Sequence, residues 1–461
     1  MSSSVVYATR AEFEALAADV NKTQWNIDES LDTIWMLLSM MLIFFMHSGF
    51  SLLEAGSVRL KNTQNILAKN LIVVVVGFLT WYCFGYPLAF SHTGDGHFVG
   101  GGRGYFMDGM WDDKRLFRVW IFQAAFCATG GTIVSGAMAE RTKLKGFGIF
   151  TVIMTSIIYP FVVFWVWSGY GFLKYTNSAG MRESIFGEPF IDFAGSGVVH
   201  LVGGIAALVG AFIVGPRKGR FMQESQVQFD AHSVPLCVLG TFFLFFGWYG
   251  FNPGSTGQMH DIENAHKAAL VAVNTTISPC ISGLVVFFIR AKVWQPKLLD
   301  VPGFCNGILA GLVAVTGACA TIKPWESAII GFVAAFVYQG ASMLLPRFHI
   351  DDVVDAFAVH GAGGTWAVIA TGIFGDPAAG IGGNGLIYGG DQLRVQFLGA
   401  LIIILWSGSI SLAVLFPLRV IGFLRLSDHF QTRGADAMEH SPVKAYNVDA
   451  EIEQVVAAAV A

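Results

Sequence analysis

Three of the eleven histidines, His47, His200 and His360, lie inside long stretches that contain no Asp, Glu, Lys or Arg. A neutral imidazole offers one donor and one acceptor, so in apolar surroundings it can carry a hydrogen bond, or relay a proton, where nothing else can. His200 and His360 share a frame. Residues 199–207 read VHLVGGIAA and residues 359–367 read VHGAGGTWA, and both fit VHxxGGxxA. His47 has no such partner, and the plain reading of it is a neutral ring donating to a nearby backbone carbonyl. A metal held by two His usually wants carboxylate or thiolate company, and neither stretch supplies it. No metal, cofactor or nucleophile–base pair for enzymatic catalysis is therefore expected.

Asp192 precedes His200 by eight residues, roughly 12 Å of helix. It is placed to cap that helix by accepting from the N–H of Ala194 or Gly195, and a carboxylate there would also favour a nearby cation. Asp355 reads as its counterpart ahead of His360. Phe122 and Phe126 lie four apart and share a helix face. Trp167 closes one apolar stretch, and another ends in GWYGFNPGS with Trp248, Phe251 and Ser255. Such a cluster can hold a small cation against ring faces with a hydroxyl as acceptor. The rival reading is an aromatic belt at a membrane interface. The six cysteines form no CxxC pair and read as free, buried small side chains.

The elements that position these residues follow from composition. Of 461 residues, 54% are hydrophobic and 13% charged, with 40 Phe and 54 Gly. A soluble domain carries about 25% charge. High Phe with high Gly suits helices that face lipid on one side and pack closely on the other. The formal charge of −4 argues against a nucleic-acid partner. A bilayer-crossing helix needs about 20 apolar residues. Eleven windows free of Asp, Glu, Lys and Arg meet that need: 34–53, 71–90, 119–138, 147–168, 194–214, 233–251, 268–289, 304–322, 328–346, 356–375 and 396–418. Residues 11–30 carry six charges and no apolar core, so no cleaved signal is expected and the first window acts as the first span. Placing the N-terminus outside puts 17 of the 28 Lys and Arg in inside loops or the tail, directly after the odd-numbered spans. The positive-inside rule then puts the C-terminus inside, as eleven crossings require.

The two VHxxGGxxA frames fall in the fifth and tenth windows. Five spans separate them, so their helices run in opposite directions, which is the mark of a five-plus-five inverted repeat with an eleventh helix outside it. The expectation is an all-α membrane protein. Residues 1–32 form an extracellular segment, 33–425 the eleven-helix domain, and 426–461 a cytoplasmic tail.

The run DFAGSGVVHLVGGIAALVGA from Asp192 resembles the signature of the ammonium transporter (Amt/Mep/Rh) family. GSVRLKN at 56–62, GAMAER at 136–141, GWYGFNPGS at 247–255 and DAFAVHGAGG at 355–364 are similar to other family motifs. The resemblance covers about residues 33–447 and is nearer the Amt branch than the Rh branch. It implies a homotrimer in the cell membrane with one pore per subunit. The substrate it implies is ammonium, with methylammonium as an analogue. By motif position, Phe126, Trp167 and Ser255 look like an outer ammonium site. Phe126 and Phe251, with Phe122 beside them, look like a stacked gate. His200 and His360 look like twin pore histidines, Trp248 a pore-lining ring, and Asp192 the carboxylate that supports recruitment. A cytoplasmic regulator at the pore exit or tail fits the same pattern, and an ammonium sensor of the same fold is the alternative to a transporter. Two departures stand out. Glu54 occupies the place of a pore-facing Tyr in some bacterial members. Met438 stands where plant members can carry a phosphorylatable Thr.

Overall fold

The structure, a computed structural model, describes residues 9–92, 96–222, 229–294, 298–379 and 383–446. Among these residues, ten helices are long and apolar enough to cross a membrane. They are α1 Arg10–Ser57, α2 Leu60–Phe90, α3 Arg115–Ala137, α4 Leu144–Trp167, α5 Ser196–Val214, α6 Val234–Thr256, α7 Ile262–Lys292, α9 Pro324–Arg347, α10 Phe357–Phe374 and α11 Gln392–Val420. A shorter apolar helix, α8 Val301–Thr316, lies between α7 and α9. Three short antiparallel strands, β1 Tyr170–Gly171, β2 Lys174–Thr176 and β3 Arg182–Glu183, join α4 to α5. Two short helices, α12 Asp428–Arg433 and α13 Ala435–Glu439, follow α11.

Each expected window coincides with one of these helices, with two informative differences. Helix α1 starts 24 residues ahead of its window, at Arg10. There Thr9 and Glu12 close a capping box: the Glu12 carboxylate accepts from Thr9 N–H at 2.8 Å, and Thr9 Oγ1 accepts from Glu12 N–H at 3.3 Å. Such a box satisfies donors that a helix start otherwise leaves bare, so polar residues 10–32 continue the helix. Helix α8 stops at Thr316, six residues short of its window. The segment before α5 takes over its last carbonyls, with Phe193 N–H donating to Gly317 O and Ala194 N–H to Thr316 O. Lys297 of the basic inner loops, residues 1–8 and the tail beyond Tyr446 lie outside the described residues.

Helix α1 packs along α6 and α3, α7 packs on α8 and α9, and α5 lies between α3 and α11. The outer faces keep large apolar side chains exposed, among them Phe242, Phe246, Phe288, Phe332, Phe397 and Phe416. In water such a surface would drive association; in a bilayer it is the solvated face. Cys280 belongs to that exposed set and Cys83 is partly exposed, whereas the other four cysteines are buried as expected.

The loops at the α3 and α5 C-terminal ends are held by a buried ionic cluster. Arg217 donates to Asp351 at 2.8 and 2.9 Å and to Glu140 at 3.0 Å, and Arg59 pairs with Glu140. Arg141 donates to the carbonyls of Ala137, Ala139 and Gly215. Burial alone would raise both carboxyls, yet Arg217, with Arg59 at Glu140 and Arg141 at Asp351, holds both below the usual carboxylate range. A depressed carboxyl contributes stability at neutral pH that is lost as pH falls through its folded pKa. The motifs GSVRLKN and GAMAER thus supply this lock, through Arg59, Glu140 and Arg141. The tail docks beside it. Asp436 accepts from the N–H groups of Gln64 and Asn65, at 3.0 and 2.9 Å, near the start of α2.

Candidate functional site

His200 and His360 sit in matching local structures. Each lies in a six-residue widened turn, Ser196–Leu201 and Phe357–Ala362, that leads into a regular helix. Such π-turns recur where a side chain must be presented at a site. Two glycines allow the helices to touch. A Cβ at Gly204 would overlap the backbone of Gly361, and one at Gly364 would come within 2.9 Å of Leu201 N. Gly204 and Gly364 hold the same place in the two VHxxGGxxA frames. Each packs on the other frame's histidine segment, so the contact is two-fold in character.

The imidazoles meet Nδ1 to Nδ1 at 3.1 Å, with ring centres 5.2 Å apart. One Nδ1 must donate and the other accept, so the two neutral rings are held in opposite tautomers. His200 Nε2 is buried without a hydrogen-bond partner among the described residues.

The aromatic residues continue this pair outward. Trp248 stacks on His200 at 5.2 Å and 14°, and its Nε1 donates to Thr316 Oγ1 at 3.0 Å. Phe251 lies 5.5 Å from His200. Phe126 lies over Phe251 at 4.2 Å between centres, and Phe122 is 4.9 Å from Phe126. Trp167 meets Phe126 edge-on at 5.7 Å. Trp167, Phe126, Phe251, His200 and His360 therefore form one unbroken column of rings. All but Trp167 are buried.

At the outer end Trp167, Asp192 and Ser255 line one cavity of about 360 Å³. Trp167 Nε1 donates to Asp192 O at 2.8 Å, which fixes the ring. Ser255 Oγ donates to Phe251 O at 2.8 Å and keeps its lone pairs for an incoming donor. The Asp192 carboxylate accepts from four backbone N–H groups, those of Gly195, Ser196, Gly197 and Val198, at 2.8–3.0 Å. The capping reading of Asp192 is thus met, at Gly195 rather than Ala194. Its counterpart is Asp352, not Asp355. Asp352 is eight residues before His360, and its Oδ2 accepts from Phe357 N–H at 2.7 Å, as Asp192 Oδ2 does from Gly197. Asp355 points elsewhere, accepting from Tyr338 Oη and Ser342 Oγ on α9.

Three basic residues that sequence reasoning missed, Lys174, Arg182 and Lys267, line the same outer cavity. They arrive from β2, β3 and α7, and no local pattern marks them. His47 is buried with neither ring nitrogen hydrogen-bonded among the described residues, so the carbonyl partner expected for it is not there. Phe44 meets its ring edge-on at 6.0 Å.

The sequence profile of the Ammonium Transporter Family matches residues 34–446. The chain belongs to the Ammonium Transporter Family. Ammonium transporter Amt2 of Archaeoglobus fulgidus is 35% identical over 427 residues, covering 91% of this chain and 89% of the relative. Ammonium transporter 3 of Dictyostelium discoideum is 37% identical over 431 residues, covering 91% and 95%. Among solved structures, one described as Sensor Amt Protein superposes with a TM-score of 0.80 at 28% identity, covering 90% of this chain and 100% of that one. Candida albicans Mep2 superposes with a TM-score of 0.77 at 27% identity, covering 90% and 93%. The chain is accordingly a multi-pass membrane protein of this family.

Proposed function

We propose that the chain carries ammonium, and methylammonium as its analogue, across a cell membrane through one pore per subunit of a homotrimer. The observation that carries this reading is the column of rings from Trp167 to His360. A cation entering an apolar passage must shed water at heavy cost. Ring faces at Trp167 and Phe126 and the Ser255 hydroxyl replace hydration for a small cation with N–H donors. Phe126 and Phe251, with Phe122 behind, close the passage below. Ammonium gives up a proton there, and neutral ammonia passes Trp248 and the histidine pair. Asp192 rigidifies the mouth through its four N–H contacts and adds negative charge beside it.

The reading includes eleven crossings, with α8 as the short one, and a five-plus-five repeat supported by the matched packing of Gly204 on Gly361 and of Gly364 on Leu201. The N-terminal segment 1–32 lies outside, the domain spans 33–425, and the tail 426–461 lies inside within reach of a cytoplasmic regulator. Proteoliposomes given an ammonium pulse test it: saturable entry that potassium does not compete is expected, and entry no faster than in protein-free vesicles would overturn it. The likeness to Sensor Amt Protein favours one second reading, an ammonium sensor acting through its tail. Ammonium binding without flux, together with a tail-dependent cellular response, would select it.

A further inference from the structure

We infer that Glu54 is the proton acceptor on the inner side of the histidine pair. This rests on the transport reading above and adds the group that takes the proton once it has crossed. Glu54 lies near the end of α1, buried to 2% exposure. With His360, Asn306 and Phe50 it lines a small cavity of about 20 Å³, room for a single water or ammonia. The carboxyl and the imidazole thus face one molecule-sized space.

The groups around Glu54 suit it with or without a proton. Asn70 Nδ2 donates to Oε2 at 2.6 Å, and the amide is held in that sense because its Oδ1 accepts from Thr132 Oγ1 at 2.8 Å. Ser135 Oγ lies 2.8 and 2.9 Å from the two carboxylate oxygens and 2.7 Å from Thr132 O. A hydroxyl has one hydrogen. When Glu54 is ionised, Ser135 gives it that hydrogen. When Glu54 carries a proton, its O–H donates to Ser135 Oγ, and Ser135 turns its hydrogen to Thr132 O. Neither state leaves a buried donor unpaired, so the carboxyl can change charge without a structural penalty.

The charged groups facing this region come from several elements. Lys69 of α2 is buried nearby, its ammonium without a hydrogen-bond partner among the described residues. It lies in the fields of Glu54, Glu140, Arg141 and the tail residue Glu439, and favours the ionised carboxylate. His360 faces Glu54 from α10. Helix α8 contributes Asn306 and Leu309, both uncharged, to the cavity.

Ammonium at the outer side loses a proton to His200, leaving ammonia. The proton passes through the Nδ1–Nδ1 bond to His360. There an imidazolium N–H bond breaks and, across the one molecule in the cavity, an O–H bond forms on Glu54. Neutral His360 and a neutral carboxyl result. Release of that proton to inner water restores the carboxylate, and ammonia recovers a proton inside.

Full-length protein in proteoliposomes tests this, with ammonium-evoked current and total entry, counted as labelled methylammonium, read in parallel. Glu54→Gln keeps the shape and the Asn70 contact but cannot take up a proton. The current is expected to fall at least tenfold further than total entry, and Glu54→Asp to restore part of it. Wild-type current in Glu54→Gln would overturn the inference. So would equal loss of current and entry in a variant that elutes as wild type on gel filtration. Saturable entry with no current in the unsubstituted protein would overturn the inference alone, whereas no saturable entry in the unsubstituted protein would overturn the transport reading beneath it.

Discussion

Trp167 and Ser255 line the outer cavity, and in the proposed reading they replace water around a small cation and set how tightly it is held. Removing one partner of a cation–π site is worth about 0.5–2 kcal/mol. Trp167→Leu or Ser255→Leu should therefore raise the half-saturating ammonium concentration about 2- to 30-fold in an uptake assay. An unchanged saturation curve in both would remove them from the site. Lys174 acts against them in the same cavity. Burial first, then the charge of Arg182, lowers its amine to about 8, partly offset by Asp192. Below that pH it is charged and repels a cation, and above it the repulsion is lost. Apparent affinity, corrected for the ammonium fraction, should thus strengthen between about pH 7 and 9, and Lys174→Met should flatten the dependence. The histidines, Phe126 and Phe251 were legible in the sequence because each lies on a helix with a repeat or motif to mark it. Lys174, Arg182 and Lys267 were not, because two short strands and α7, distant in sequence, bring them together. Asp355 adjoins the DAFAVHGAGG motif, but the counterpart of Asp192 is set by the eight-residue interval to the histidine, which Asp352 shares.

Among the elements, α5 and α10 carry the account, since their contact sets the histidine distance. Gly204→Val places a branched side chain against the Gly361 backbone, where neither partner can yield. Loss of folded protein on gel filtration is expected, while the same change at exposed Gly340, whose Cβ would meet nothing within 4 Å, should be tolerated. The ionic lock is a second element-scale device. Arg217→Met leaves Glu140 and Asp351 without their shared guanidinium, and breaking a buried pair costs about 3–5 kcal/mol. A lowered thermal midpoint in detergent is expected, with little change in apparent affinity at the outer mouth. Helix existence was plain from apolar runs, whereas helix ends were not. The early start of α1 depends on the Thr9–Glu12 box, and the early stop of α8 on the segment before α5. The widened turns at the histidines also escaped the apolar pattern, because a one-residue change of winding leaves hydrophobicity intact.

For the whole molecule, the eleven apolar helices among the described residues and the column of rings support the proposed passage over a receptor cleft, with three such passages per assembly. Native mass spectrometry should find three subunits. His200→Ala, read as ammonium and potassium entry into proteoliposomes beside the wild type, shows whether the facing imidazoles conduct. The change removes one of the two facing imidazoles and leaves a small side chain among small neighbours. The account expects the wild type to take up ammonium saturably and exclude potassium, and the variant, at wild-type expression and elution, to lose ammonium entry or its selectivity over potassium. Full, selective ammonium entry through His200→Ala would contradict it.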